Sequence, residues 1–174
     1  MKIAIIGASG FVGEKIVDEA LLRGHQVEAI YRRNSIKERQ NLNQHKITIF
    51  DEDIFSNIIK DVDLIISAYN PGYYHEAQKE RYVEGYDVIF KICKKLNKRI
   101  IVVIGATSLI QYDGELVKNG FYPKPWLKAL EGVDLVYDKY KDDKSINVTF
   151  VSPAAELIDG VKKSNYAYDT NHLV

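Results

Sequence analysis

Lys2-Ile3-Ala4-Ile5-Ile6 runs without a break into Gly7-Ala8-Ser9-Gly10-Phe11-Val12-Gly13. A short apolar run bounded by glycine predicts a buried strand. Beyond it Ile16, Val17, Ala20 and Leu21 fall on one face of a helix, and Arg23-Gly24 supplies a basic last turn and a glycine stop. Strand, glycine-rich turn and helix together make a cradle for phosphate. Glycine lets the backbone approach a pyrophosphate, and the unpaired N–H groups of a helix start face the anion. The spacing is G-x-x-G-x-x-G, a variant of the G-x-G-x-x-G fingerprint, in the strand-to-helix context that the fingerprint requires. Gly7, Ala8, Ser9, Gly10, Phe11 and Val12 are therefore the expected pyrophosphate contacts. The competing reading is a tight turn needed only for packing.

Residues 26–31 alternate polar and apolar side chains and read as a second strand, which ends in Arg32-Arg33. In a dinucleotide fold this point lies beside the adenosine ribose, about 20 residues past the glycines. An acidic residue there would bind both ribose hydroxyls and favour NAD. Here the position carries arginine, and no acid follows until Glu38. A guanidinium is planar, always charged and forked, which suits a phosphate dianion. Arg32 is thus expected to contact a 2′-phosphate, with Arg33 stacking on adenine or pairing the same phosphate. That reading makes NADPH the preferred cofactor over NADH. Two solvated arginines at a loop start remain the alternative.

Residues 34–46 are polar and without period, and read as a loop. Ile47-Thr48-Ile49-Phe50 reads as strand three and runs into Asp51-Glu52-Asp53-Ile54. There Asp53 can accept from the adenine amino group while Ile54 lies on the ring. Asp53 can equally cap a helix over 55–60. Residues 63–68 form strand four. Small Ala68 lets the cofactor backbone lie close, and Tyr69 borders the ribose and nicotinamide. The loop 69–75 is rich in turn residues and aromatics, and its tyrosines either wall a flat substrate or cap the core.

A helix over 76–96 with a stripe of Val83, Ile89, Phe90, Ile92 and Cys93 leads to strand five at 99–104 and Gly105-Ala106-Thr107-Ser108. After a long loop at 111–125 come a helix over 126–141, strand six at 147–152 and the turn Pro153-Ala154-Ala155. Strands alternating with helices predict an α/β fold, a Rossmann-type doubly wound parallel sheet, as a single domain over residues 1–174.

Bulk properties remove several function classes. With 24 basic and 24 acidic residues the net charge is zero, so no footprint for nucleic acid or an anionic membrane is present. One cysteine, Cys93, excludes an internal disulfide and fits a reducing cytoplasm. The N-terminal apolar run is too short for a signal peptide, and the other apolar runs are of strand length. His25, His45, His75 and His172 have no metal-ligand spacing with Cys93 or one another, so no metal is expected. No G-x-S-x-G elbow and no Walker lysine occur.

The glycine stretch, Arg32 after strand two, Asp53-Ile54 after strand three and Val151-Ser152-Pro153-Ala154 after strand six together resemble the atypical short-chain dehydrogenases. Within these the chain is similar to the NADH-flavin reductases, biliverdin reductase B and the NmrA-like proteins. The resemblance implies NAD(P)H binding across strands one to three and hydride transfer to a flavin or similar planar acceptor. It makes Ser108 the candidate catalytic residue, because relatives keep a hydroxyl there to bond substrate or the nicotinamide amide. Relatives continue past strand six with another strand and helix, so the C-terminal part is expected to be shortened.

Carbonyl-reducing relatives use Tyr-x-x-x-Lys, and Tyr137 and Lys141 have that spacing. Their helix runs antiparallel to the strands, which places its C-terminal end away from the cofactor edge, about 10–15 Å from a catalytic position. The match is therefore read as chance. Flavin reduction needs little beyond two positioned rings. The expectation is an NADPH-dependent oxidoreductase acting on a small molecule, as a monomer or homodimer. A non-catalytic NmrA-like NADP-binding redox sensor is the alternative, and a sugar-nucleotide epimerase would need Tyr137 and Lys141 at the cofactor edge.

Overall fold

Ten elements build the computed structural model, which describes residues 1–72, 77–120, 124–154, 157–160 and 166–172. In chain order they are β1 (Lys2–Ile6), α1 (Phe11–Leu22), β2 (Gln26–Tyr31), β3 (Leu42–Lys46), α2 (Glu52–Ile59), β4 (Leu64–Ser67), α3 (Gln78–Lys95), β5 (Ile100–Val103), α4 (Lys124–Tyr140) and β6 (Val148–Val151). A 3-10 turn at Val117–Asn119 lies between β5 and α4. The strands form one parallel sheet in the order β3-β2-β1-β4-β5-β6. Strand order reverses between β1 and β4. In such sheets the crevice beyond the strand ends at this switch point is where ligands bind.

Period-two alternation in β1 sends its residues to two cores. Ile3 and Ile5 pack with Val17 and Ala20 of α1 and with Val27 and Ala29 of β2. Ala4 and Ile6 face the other side, where Phe55 and Ile59 of α2, Tyr86, Ile89 and Phe90 of α3 and Val136 of α4 close a larger core. Right-handed crossovers account for the split, since the chain leaves β1 in one direction and returns past it to β4 in the other. Fully buried Phe55, Tyr86 and Phe90 each contribute on the order of 2–3 kcal/mol of transfer energy. Cys93 is buried on α3, and burial pushes its thiol up to about 12.

Strand three corrects the sequence reading. The loop expected at 34–46 contains β3, and the apolar run Ile47-Thr48-Ile49-Phe50 follows that strand instead of forming it. Its register pairs Val27 with Leu42 and Tyr31 with Lys46. β3 is an edge strand whose side chains are polar because their partners are polar. Asn43 and His45 bond the carboxylate of Glu28, and the Gln44 side-chain oxygen accepts from the Tyr31 hydroxyl and the Ile36 N–H. Residues 47–50 then turn away, with the Asp51 N–H donating to the Thr48 carbonyl. Ile49 is buried as a core side chain outside the ladder. In consequence α2 starts earlier than expected. Asp51 sits at its N-cap position, and Asp53 lies within its first turn.

Glu28 is a buried charge, 5% exposed, and Lys2 Nζ stands 3.0 Å from it. Burial opposes its ionisation, but hydrogen bonds from His45, Asn43 and Lys2 outweigh that and hold the carboxyl below its ordinary value. A carboxyl lowered in the folded state adds stability above its unfolded value, about 4.3, and loses it as pH falls through the folded value. Urea midpoints are therefore expected to drop between about pH 5 and pH 3, with a shallower drop in Glu28→Gln. Parallel profiles for the two proteins would remove Glu28 as the cause.

Among the described residues no helix is long and apolar enough to cross a membrane, and no cluster of His, Cys, Asp and Glu could hold a metal ion.

Candidate functional site

The glycine turn lies at the switch point and is held from beneath. Gly7 and Ala8 both donate N–H to the Ile30 carbonyl at 3.0 and 3.1 Å, and Gly10 N–H donates to the Gly7 carbonyl at 3.0 Å. Gly7 has φ +77°, and a Cβ there would stand 2.5 Å from the Ala68 carbonyl oxygen. Only glycine combines that dihedral with that approach. Gly13 lies deeper, where a Cβ would stand 2.0 Å from the Gly7 carbonyl oxygen. The first turn of α1 is thus packed directly on the turn it follows. Gly10 is the N-cap and makes no side-chain capping bond. A helix start without a cap leaves N–H groups pointing outward. Gly10 and Phe11 are exposed there, with Ser9 and Val12 half-buried beside them. An uncapped, glycine-floored turn fits a pyrophosphate.

A cavity of about 240 Å³ lies farther toward β3, lined by Arg32, Thr48, Phe50, Tyr69, Pro71 and Arg81. Arg32 leaves the end of β2 and reaches across to the loop after β4, its Nη2 donating to the Pro71 carbonyl at 2.9 Å. Tyr69 is fixed on three sides. Its hydroxyl donates to the Arg81 carbonyl at 3.0 Å, its ring meets Tyr86 edge-on at 5.7 Å, and it fills a notch at Gly85. Burial raises the Tyr69 phenol, while Arg32 and Arg81 pull it the other way.

Of the residues expected at the adenosine end, Arg32 and Tyr69 line this cavity. Ala68 touches the glycine turn. Arg33 is exposed and outside the lining. Asp53 and Ile54 are exposed on the first turn of α2, also outside it. Sequence reasoning missed Thr48, Phe50 and Arg81. The first two were hidden by the misplaced strand, and Arg81 sits in a helical charge run that carries no marker. Tyr73, Tyr74, His75 and Ala155 lie outside the described residues.

Gly85→Ala tests the seat of Tyr69. A Cβ at Gly85 would stand 2.3 Å from Tyr69 Cε1 and 2.6 Å from its Cζ, so the ring must leave its notch and give up the hydroxyl bond to the Arg81 carbonyl. Alanine favours the helix over glycine by about 1 kcal/mol. The variant is expected to melt a few degrees lower, by about 2–4 °C for each kcal/mol lost, while nucleotide affinity falls about tenfold as the ring is pushed from its notch. Unchanged affinity would show that Tyr69 does not border the ligand.

A second cavity, about 170 Å³, is lined by Ser108, Leu109, Tyr137, Lys141, Phe150, Ser152, Thr170 and Asn171. It brings Tyr137 and Lys141 beside Ser108. Gly105, just past β5, packs against Leu130 and Val133, so the earlier turns of α4 project beyond the sheet edge. The loop after β5 then follows α4: Thr107 Oγ1 donates to Asp134, one turn from Tyr137. Ile110 N–H donates to the Asn171 carbonyl at 2.9 Å, which brings the tail alongside. Lys141 Nζ donates to Asp138 at 2.7 Å and lies 5.3 Å from the Tyr137 ring centre.

The two cavities stand at opposite ends of a row of rings. Tyr69, Tyr86, Phe90, Phe150 and Tyr137 follow one another at centroid distances of 5.7, 5.6, 6.3 and 5.4 Å. This row buries the aromatic side chains of α3 against β6 and α4.

A family described as NAD(P)H-binding matches residues 7–171. The uncharacterized protein YwnB of Bacillus subtilis (strain 168) is 33% identical over 164 residues, spanning 89% of this chain and 72% of that protein. A solved structure from Bacteroides thetaiotaomicron, named a putative epimerase, superposes with a TM-score of 0.87 at 31% identity, over 99% of this chain and 80% of its own. Another from Streptococcus pneumoniae, named a putative NADH-flavin reductase, has a TM-score of 0.81 at 31% identity, over 100% of this chain and 82% of its own.

Proposed function

Since this chain belongs to the NAD(P)H-binding family and has a fold like that of the atypical short-chain dehydrogenases, we propose that it is an NADPH-dependent oxidoreductase that delivers hydride to a flavin or similar planar acceptor. The observation that carries this reading is the alignment of an uncapped glycine turn with the Arg32 cavity along one sheet edge. Ser9, Phe11 and Val12 offer N–H groups to the pyrophosphate over a floor made by Gly7, Ala8 and Gly10, whose own N–H groups are spent on backbone carbonyls, and Arg32 takes the 2′-phosphate. Ala68 and Tyr69 border the sugar. Reduced nicotinamide, when bound, supplies the hydride. The chain's own work is to hold two flat rings together and exclude water between them, which is the main demand of flavin reduction. Ser108 lies beyond β5, where its hydroxyl can orient an acceptor or the nicotinamide amide. A small-molecule substrate, a cytoplasmic location and a monomeric or homodimeric state belong to the same reading.

One observation favours a second acceptor class. Ser108, Tyr137 and Lys141 share a cavity, as reduction of a carbonyl with a phenol as proton source would require. Tyr137→Phe distinguishes the two. It is expected to leave NADPH oxidation by FMN within about twofold, because no side-chain acid is needed. A loss of about 100-fold would move the assignment to acid-assisted carbonyl chemistry.

Steady-state loss of NADPH absorbance with and without FMN tests the main reading. FMN-dependent turnover is expected. Tight NADPH binding with no turnover on FMN, FAD or riboflavin would instead make the protein an NADP-binding redox sensor.

A further inference from the structure

We propose that Arg81 is a second determinant of nucleotide choice, joining Arg32 on the 2′-phosphate of NADPH in one cavity. The inference rests on the NADPH reading above and adds to it a residue from a different element. Arg32 comes from the end of β2 and Arg81 from the start of α3, yet both line the same cavity with Thr48, Phe50, Tyr69 and Pro71. Those lining residues include two guanidinium groups and no carboxylate. Adenine is neutral and asks for no cation. A pair of guanidinium groups suits a phosphate dianion, because each offers forked N–H donors and neither can lose its charge.

Both side chains are held in place before any ligand arrives. Arg32 spends one nitrogen on the Pro71 carbonyl, which leaves the rest of its fork available. The Arg81 guanidinium lies over the Phe50 ring, 5.6 Å from its centre. Its other partner, Glu84, stands 3.3 Å away and both groups are half-exposed, so that pair is weak. The phenol of Tyr69, which lines the same cavity, feels both cations. Thr48 Oγ1 accepts only a long 3.4 Å bond from the Phe50 N–H, and its own hydroxyl can donate to an anion. Groups already ordered lose less freedom on binding than free side chains would.

The test compares 2′,5′-ADP, 5′-AMP and inorganic phosphate by calorimetric titration of the full chain, in wild type, Arg32→Ala, Arg81→Ala and Arg81→Lys. Arg81→Ala keeps the hydrogen bond that anchors Tyr69, because its acceptor is the backbone carbonyl. It is expected to weaken 2′,5′-ADP about tenfold while changing 5′-AMP less than about twofold. Arg81→Lys should recover part of the loss, since it restores charge without the fork. Equal weakening of both nucleotides would overturn the proposal, showing that Arg81 serves packing alone. So would inorganic phosphate binding as tightly as 2′,5′-ADP, which would make this a site for free phosphate. If Arg32→Ala abolishes the preference for 2′,5′-ADP and Arg81→Ala does not, the inference fails and the NADPH reading stands. If wild type binds 2′,5′-ADP no better than 5′-AMP, both fail together.

Discussion

Gly13→Ala is expected to destabilise the protein by about 3 kcal/mol, lowering the melting temperature by roughly 6–12 °C. The added Cβ would stand 2.0 Å from the Gly7 carbonyl oxygen and 2.9 Å from Ala8 Cα, and all of these neighbours are backbone. No rotamer change relieves such a clash, so α1 has to lift from the turn it packs on. The helix gains only about 1 kcal/mol from the better former. Because the same turn forms the floor of the pyrophosphate cradle, NADPH affinity should fall with stability. Thermal unfolding followed by circular dichroism, with and without NADPH, checks both. A variant as stable as wild type would mean that α1 does not approach Gly7 this closely.

Arg32→Ala is expected to abolish the preference for NADPH. A charge-assisted bond of about 1.5–3 kcal/mol corresponds to about 10- to 100-fold in affinity. NADH lacks the phosphate and should bind the variant nearly as it binds wild type. The loss of the bond to the Pro71 carbonyl removes one part-buried contact between the end of β2 and the loop after β4. Fluorescence titration of both nucleotides against both proteins measures the ratio directly. An unchanged ratio would take the 2′-phosphate away from Arg32, and with it the cofactor preference.

Most of the architecture is legible where local rules and burial agree. β1, the glycine turn and α1 follow from apolar run, glycine spacing and helical face, and Gly24 with φ +77° ends α1 as a glycine stop should. The helix α3 and strands β4 to β6 follow from the same signals. Legibility fails where a residue answers to a distant partner. β3 looks like a loop because Asn43 and His45 serve Glu28 on the neighbouring strand, and that buried charge has no signature in a linear pattern.

The candidate site divides in the same way. Its glycine turn and Arg32 belong to one strand-turn-helix unit and its outgoing strand, so spacing finds them. Arg81 enters from α3, across the sheet edge, and only the fold brings it to Arg32. Tyr137 and Lys141 are visible by their spacing, but their nearness to Ser108 is not, because it depends on a loop that descends along α4 to put Thr107 against Asp134.

The most direct measurement is an anaerobic single turnover, in which the purified protein with NADPH is mixed with FMN and the flavin absorbance is followed. Bleaching of FMN in step with NADPH oxidation, at a rate that rises with protein concentration and falls in Arg32→Ala, is the predicted result. NADPH bound to the protein while the flavin stays oxidised, or bleaching no faster than without protein, would contradict hydride transfer to a flavin at this site.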